Sequence, residues 1–131
     1  YTFTQALFQS DFESDYEPWG TVEVGDEMPY LPEHQWSAQV GFELREWAVY
    51  SMISYHSKMR TVAGAENPAE NAVVPAYLVA DISGKYRLNS HLAITAAVRN
   101  ISDKIYIASL RPAGVRPGLP RSFLLGVQAR F

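Results

Sequence analysis

Three arginines lie close together near the end of the chain, in the stretch LRPAGVRPGLPR. They are Arg111, Arg116 and Arg121, and they alternate with Pro112, Pro117 and Pro120. Guanidinium groups bind carboxylates through two parallel hydrogen bonds, and proline fixes φ, which lowers the entropy that a loop loses on closing. The segment therefore predicts a loop that binds an anionic ligand through these three arginines. The alternative is that they only pair with acidic loops or lipid headgroups.

An acidic stretch, SDFESDYEPWGTVEVGDE, occupies another long connection. Its carboxylates are Asp11, Glu13, Asp15, Glu17, Glu23, Asp26 and Glu27. We interpret it as a solvated loop rather than a dedicated cation site, since runs of like charge usually stay in water.

No group of residues in the sequence has the pattern of a catalytic or metal centre. His34, His56 and His91 are isolated, and no pair of them has the spacing of a zinc site. The sequence contains no Gly-x-Ser-x-Gly elbow, and the Gly-rich GVRPG lacks the Lys-Ser/Thr of a phosphate loop. We therefore expect no enzyme, no metal site and no cofactor.

Composition narrows the class of protein further. The 131 residues carry 11 Lys and Arg against 14 Asp and Glu, and this mildly acidic balance argues against nucleic acid as a partner. The richest apolar stretch, AVVPAYLVADI, is interrupted by Pro75 and is shorter than the run of about 18 residues that a membrane helix needs.

Strand periodicity is the main structural signal. In HQWSAQVGFEL, apolar and polar or small residues alternate, which is the two-residue period of a strand with two unlike faces. The same period recurs in YLVADISGKYRL, in HLAITAAVRN and in the terminal PRSFLLGVQARF. The noisier segments 1–10 and 47–60 are rich in aromatic and β-branched residues and complete a prediction of six strands.

The connections between these strands alternate strictly in length. Short turns fall at Arg45-Glu46 and Asn89-Ser90, whereas residues 11–33, 61–75 and 103–120 form long connections. Transmembrane β-barrels sort their loops in this way, with short periplasmic turns and long outer loops. The apolar phase of the strands then predicts a lipid face. Its members are Trp36, Val40, Phe42, Ile82, Val98, Leu125 and Val127.

The terminal strand alternates up to the last residue. Its apolar phase is Phe123, Leu125, Val127, Ala129 and Phe131. Outer-membrane barrels begin at about eight strands, so six strands predict the carboxyl-terminal part of a larger barrel, whose last strand closes it. We expect Phe131 to lie at the interfacial aromatic girdle.

A known family shares these features. RNISDKIYIAS resembles the N-L-F-D-K-x-Y pattern near the end of TonB-dependent outer-membrane receptors, with matches at Asn100, Asp103, Lys104 and Tyr106 and departures at Ile101 and Ser102. The segments YTFTQALFQSDF, MPYLPEHQWSAQVGFEL and VPAYLVADISGKYRL are also similar to that family, and the alternating end closed by Phe resembles the outer-membrane assembly signal.

The resemblance implies an all-β, antiparallel, up-and-down transmembrane barrel of about 22 strands, of which residues 1–131 form about six. It implies a bacterial outer-membrane receptor that imports an iron chelate or a similar scarce nutrient with energy from the TonB complex. The plug domain and the TonB box would lie upstream of this chain. The implied partners are the chelate, outer-membrane lipid and lipopolysaccharide, the TonB complex and the barrel assembly machinery. Within the family, YIASLRPAGVRPGLPRSF looks most like the ferric-citrate branch.

Two other classes stay open at this point. A soluble β-sandwich or lipocalin-like binding module would explain the alternation, though not the sorted loops. An outer-membrane barrel enzyme would explain the loops, though the sequence shows no acid, base and nucleophile grouping. A detergent requirement separates the first class from a receptor, and hydrolase assays test the second.

Overall fold

The computed structural model describes residues 1–16, 19–110 and 114–130, and these form an all-β antiparallel fold. In chain order the strands are β1 (Thr2–Phe3), β2 (Phe12–Glu13), β3 (Thr21–Val22), β4 (His34–Glu43), β5 (Trp47–His56), β6 (Met59–Arg60), β7 (Val73–Val74), β8 (Tyr77–Arg87), β9 (Leu92–Arg99), β10 (Ile107–Ser109), β11 (Arg116–Pro117) and β12 (Ser122–Ala129). A short 3-10 helix, Glu70–Ala72, precedes β7. In the described part of the chain, no helix is long and apolar enough to cross a membrane.

The main sheet has six strands, the number that the sequence predicts, in the order β1-β4-β5-β8-β9-β12. Its members follow one another along the chain, which is the meander of an up-and-down fold. Short turns at 44–46 and 88–91 join β4 to β5 and β8 to β9. In the second turn Asn89 Oδ1 accepts hydrogen bonds from the amides of His91 and Leu92, so an Asn at this position closes the turn.

The first strand is shorter than the sequence predicts. Only Thr2–Phe3 pairs with β4, and beyond it the chain bonds to the following connection instead. The amide of Met28 donates to the carbonyl of Ala6, and the amide of Phe8 donates to that of Asp26. The backbone of this segment is thus satisfied by its own loop rather than by the main sheet.

The long connections contain small ribbons. Residues 11–33 carry the pair β2 and β3, β6 pairs with β7 across residues 61–72, and the last connection carries β10 and β11. Each ribbon is a two-stranded antiparallel pair. The connections that the sequence shows only as long therefore each contain a short antiparallel ribbon.

The chain divides into two compact units. The first, the loop unit, comprises 1–36, 55–77 and 106–118, and it includes the buried side chains of Phe8, Val22 and Val74. Phe8, Phe12, Tyr16 and Trp19 form an edge-to-face aromatic cluster in it. The second, the strand unit, comprises 37–54, 78–105 and 119–131.

Candidate functional site

One face of the strand unit is apolar and exposed. The register aligns Phe123 with Val98 and Val98 with Ile82, so these three side chains stand in one row across β12, β9 and β8. Neighbouring rows align Leu125 with Ala96 and Val127 with Ile94. Phe123, Leu125 and Val127 are 76%, 81% and 71% exposed, which is unusual for large apolar residues in water. Such a face is built to meet an apolar solvent or partner.

The same face continues onto β4 and β5. A Cβ added at Gly84 would contact Val49, which places Val49 on the face of Ile82. On β4, Val40 and Phe42 have the phase opposite to Gly41, which lies under the Tyr50 ring on the other face. The six predicted lipid-face residues of the strand unit therefore share one face of their strands. In the loop unit, Trp36 stacks on Tyr55 with ring centroids 5.9 Å apart.

Aromatic residues of the apolar strand phase lie near strand ends. Trp36 and Tyr55 lie next to long connections, and Trp47 and Tyr86 lie next to the short turns. Trp and Tyr at both ends of an apolar strand are typical of the aromatic girdles of membrane barrels.

The opposite face is polar and held by specific bonds. The Tyr50 hydroxyl donates to Glu43, and the Tyr50 ring lies over Gly41, where a Cβ would overlap it. Lys85 Nζ donates to Gln128 Oε1 at 2.7 Å, which ties β8 to β12 across β9. Asp81 Oδ1 accepts from the amide of Asn100 at 2.8 Å. The alternation of the sequence thus separates two chemically different surfaces.

The family motif after β9 forms a turn that the side chain of Asn100 holds together through hydrogen bonds. We call this side chain and its bonds the Asn100 pin. The Asn100 side chain is 2% exposed, and its Nδ2 donates to the carbonyls of Lys104 and Leu119, both at 3.0 Å. Its Oδ1 accepts from the amide of Lys104 at 2.9 Å, and its φ of 51° is the left-handed conformation that Asn tolerates. This single side chain therefore ties the start of the last long connection to its end.

Tyr106, the last residue of the motif, belongs to a stack of three rings in the loop unit. The ring centroid of Tyr106 lies 4.4 Å from that of Tyr77, and the ring centroid of Tyr77 lies 4.9 Å from that of His56. The chain returns beside Tyr106 at Gly118, whose amide donates to the Tyr106 carbonyl at 2.8 Å. A Cβ at Gly118 would overlap the Tyr106 ring, so only glycine allows this approach.

The predicted arginines have different surroundings. Arg116 is exposed on β11 and pairs in register with Ser109. Arg121 Nη2 forms an ion pair with Asp103 Oδ2 at 2.9 Å, and Nη1 approaches the carbonyl of Ile101. Arg111 and Pro112 lie outside the described residues. The role of the three arginines as ligand-binding residues stays a prediction.

The predicted assembly signal is described in part. Phe123, Leu125, Val127 and Ala129 share the apolar phase of β12, and Phe131 lies outside the described residues. The signal role also stays a prediction.

Several carboxylates of the acidic connection make structural bonds. Asp11 and Asp26 accept hydrogen bonds from the amides of Val24 and Glu23. Glu27 Oε2 pairs with Nε of the buried Arg60 at 2.9 Å, and Arg60 Nη2 donates to the carbonyl of Glu66. Glu17 lies outside the described residues. These bonds therefore hold the acidic connection in place, and the composition of the stretch does not predict them.

The histidines take strand-end and turn positions. His34 begins β4 and lies against Tyr1 and Phe3, His56 ends β5 and stacks on Tyr77, and His91 lies in the turn after β8. Over residues 1–16, 19–110 and 114–130, no three His, Asp or Glu side chains are grouped as metal ligands.

The sequence did not predict the Asn100 pin or the ring stack as parts of the site. The available signal was the spacing of Asn100, Tyr106 and Gly118, which brackets the last long connection.

Comparison with known proteins identifies the class. The family described as TonB dependent receptor-like, beta-barrel matches residues 1–101, which is more than half of the chain, and the chain belongs to this family. The prediction of an antiparallel segment of a TonB-dependent receptor barrel is confirmed.

Particular relatives are catecholate siderophore receptors. The chain is 33% identical over 114 residues to the catecholate siderophore receptor Fiu of Escherichia coli K12, a match that covers 79% of this chain and 14% of that protein. The crystal structure of the closed form of Fiu matches with a TM-score of 0.70 and 30% identity, over 80% of this chain and 15% of that one. The chain thus spans about one seventh of the length of this relative.

A more distant neighbour supports the fold alone. The ferric enterobactin receptor of Pseudomonas aeruginosa, in a mutant complexed with enterobactin, matches with a TM-score of 0.63 and 18% identity. This match covers 80% of this chain and 17% of that one.

Proposed function

We propose that this chain forms the carboxyl-terminal part of the barrel wall of an outer-membrane receptor that takes up an iron chelate. The observation that supports this most directly is the pair of unlike faces on one meander of long strands. The five long strands have 8 to 11 residues, and a tilted β-strand needs about 9 to 11 to cross a bilayer. The apolar face then meets lipid, and the polar face lines the interior.

Completion of the barrel requires more strands. Within the main sheet β1 and β12 are edge strands, and an uncovered edge in lipid leaves backbone donors and acceptors without partners. We expect the rest of a receptor of the family's usual size to supply these strands, with a plug domain and a TonB box upstream. The outer-membrane location, TonB energisation and recognition of β12 by the assembly machinery belong to the same proposal.

The ligand class is an iron chelate with anionic oxygens. Fiu is named as a catecholate siderophore receptor, which favours a catecholate, whereas the pattern of the last connection favours ferric citrate. Both complexes present negatively charged oxygens to the receptor. Arg111 and Arg116 lie in the connection that the Tyr106 and Gly118 contact closes at its base. Guanidinium groups at this position suit either chelate.

Uptake by cells provides the test. The full-length receptor is expressed in an iron-limited host that lacks its own siderophore receptors, and the cells receive radioactive iron as ferric catecholate or ferric citrate. We expect accumulation of at least one of these chelates, and its abolition when the TonB complex is deleted. Absence of uptake of both, with the receptor folded in the outer membrane, would contradict the proposal.

A further inference from the structure

The first two long connections of the chain are bonded to each other through their backbones. The acidic connection is residues 11–33, and we call residues 61–75 the second connection. Glu27 of the acidic connection forms an antiparallel bridge with Gly64 of the second connection. The Glu27 amide donates to the Gly64 carbonyl at 3.1 Å. Each connection therefore satisfies part of the backbone of the other.

Arg60, which directly precedes the second connection, adds a side-chain link. Its side chain is only 7% exposed, and its Nε donates to Glu27 Oε2 at 2.9 Å. Its Nη2 donates to the Glu66 carbonyl at 2.8 Å, and the Arg60 carbonyl accepts from the amide of Tyr30 at 2.9 Å. Hydrogen bonds of a charged donor are stronger than neutral ones. One guanidinium thus holds both connections at once.

The second connection approaches Arg60 closely because Gly64 has no side chain. A Cβ added at Gly64 would lie 3.0 Å from Arg60 Nη1. The φ of Gly64 is 155°, a conformation that residues with a Cβ rarely adopt. The link therefore depends on the conformation of the second connection as well as on the guanidinium.

Each connection also has hydrogen bonds of its own. In the acidic connection the Ser14 amide donates to the Gly20 carbonyl at 3.0 Å. In the second connection the Thr61 amide donates to the Ala72 carbonyl at 2.9 Å, and Thr61 is buried. Arg60 therefore joins two locally ordered segments, and a loss of order in one segment removes partners from the other.

We propose that the acidic connection and the second connection open and close as one cooperative unit, with Arg60 as the residue that couples them. Proteins open locally in cooperative groups of residues that share their stabilising bonds. Opening of either connection breaks a bond of Arg60, to Glu27 on one side or to Glu66 on the other. A ligand or partner that contacts one connection therefore changes the mobility of both. This inference goes beyond the proposed function, because it holds for any ligand of the receptor.

Hydrogen exchange of backbone amides, measured by mass spectrometry on the full-length receptor in detergent, reports the opening of each connection. The informative amides are bonded inside one connection, such as Ser14 in the first and Thr61 in the second. Arg60→Gln removes the guanidinium, and we expect exchange in both connections to rise together by about tenfold to a hundredfold. Exchange in β4 and β5 stays as in wild type.

Two glycine substitutions test the coupling without a change at Arg60. Gly25→Ala strains the acidic connection at a φ of 94°, where an added Cβ has no neighbour within 4 Å. We expect it to raise exchange at Thr61, in the other connection, by about fivefold. Gly114→Ala is the matched control, because Gly114 has a φ of 95° and equally open space but lies in the last long connection. It leaves exchange in the first two connections unchanged.

Arg60→Lys distinguishes coupling from charge alone. Lysine keeps the positive charge opposite Glu27 but lacks the second donor that reaches the Glu66 carbonyl. We therefore expect it to restore only part of the protection in both connections.

Each possible result decides for or against the coupled unit. A rise confined to the connection that carries the substitution overturns the proposal, and so does unchanged exchange in Arg60→Gln. An equal rise in β4 and β5 shows global unfolding and also overturns it. If Arg60→Gln does not fold, Gly25→Ala and its control decide the matter. Chelate uptake is not part of this measurement, so a failure of the proposed function is distinguished from a failure of the coupling.

Discussion

The two faces of the main sheet are stabilised in different ways. On the apolar face, rows such as Ile82, Val98 and Phe123 have neighbours of similar chemistry, and no individual bond fixes them. On the polar face, Lys85 bonds to Gln128 and Tyr50 to Glu43, each through one donor and one acceptor. The stability of the apolar face depends on the solvent around it, whereas the stability of the polar face depends on the geometry of individual hydrogen bonds.

This difference predicts different sensitivities to mutation. An exchange of one apolar residue for another on the apolar face changes little, because lipid adapts to side-chain shape. A charge on that face has no compensating partner. The polar face accepts charge but not a change of shape near a bonded ring.

The largest effect is expected from a charge on the apolar face. Leu125→Arg places a guanidinium among apolar rows, and we expect it to lower the free energy of unfolding by about 2 to 4 kcal/mol. The adjacent Leu124 shares the polar phase of β12 with Gln128, so Leu124→Arg serves as the matched control and costs less than about 1 kcal/mol. Urea titration of the full-length receptor in lipid vesicles measures both. Equal costs would contradict the assignment of the faces.

The Asn100 pin is expected to rank second. Asn100→Ala leaves the carbonyls of Lys104 and Leu119 without their donor, and we expect a loss of about 1 to 3 kcal/mol in the same titration. Asn100→Gly removes the same bonds but relieves strain at positive φ, so it recovers a fraction of the loss. Stability of Asn100→Ala within about 0.5 kcal/mol of wild type would show that other contacts hold the turn.

Substitution of one glycine on each face by alanine compares how well the two faces tolerate an added methyl group. Gly41→Ala forces the Tyr50 ring aside on the polar face, which we expect to cost about 1 to 3 kcal/mol. Gly84→Ala, on the apolar face, places its Cβ 3.6 Å from the Ala48 carbonyl oxygen, an ordinary contact, and leaves stability nearly unchanged. The thermal midpoints of the two variants, measured side by side, test this ranking. A larger loss for Gly84→Ala would reverse it.

The smallest change in free energy is expected for ligand binding by variants of Arg116. We expect Arg116→Ala to weaken binding of an anionic iron chelate by about tenfold, which corresponds to about 1.4 kcal/mol. Arg116→Lys keeps the charge but lacks the planar fork of the guanidinium, so it recovers only part of this affinity. Arg121 is already paired with Asp103, so Arg121→Ala serves as a contrast with a smaller expected change. Equilibrium binding of the chelate to purified receptor in detergent measures the affinity of each variant. Unchanged affinity for Arg116→Ala in folded receptor would remove Arg116 from the ligand site.

Much of the fold could be predicted from local patterns. Four of the six main strands, and the face of each, follow from a period of two that neighbouring residues alone define, and the other two follow from their aromatic and β-branched residues. The length of the first strand could not be predicted, because beyond Phe3 its backbone bonds to residues 26–28 of the acidic connection instead of β4, and no local pattern shows that change of partner. The ribbons of the long connections have strands of two or three residues, too short to show a period.

The sequence by itself determined the alternation, and with it the existence of one apolar and one polar face. It also placed Asn100 and Tyr106 in a recognisable motif. Only the tertiary structure decided which side chains meet across strands, because contacts such as Lys85 with Gln128, or Arg60 with Glu27, depend on register and strand order. A shift of register by one residue would preserve every local pattern of the sequence and abolish the Lys85–Gln128 hydrogen bond, since it would turn the side chains of one strand to the opposite face.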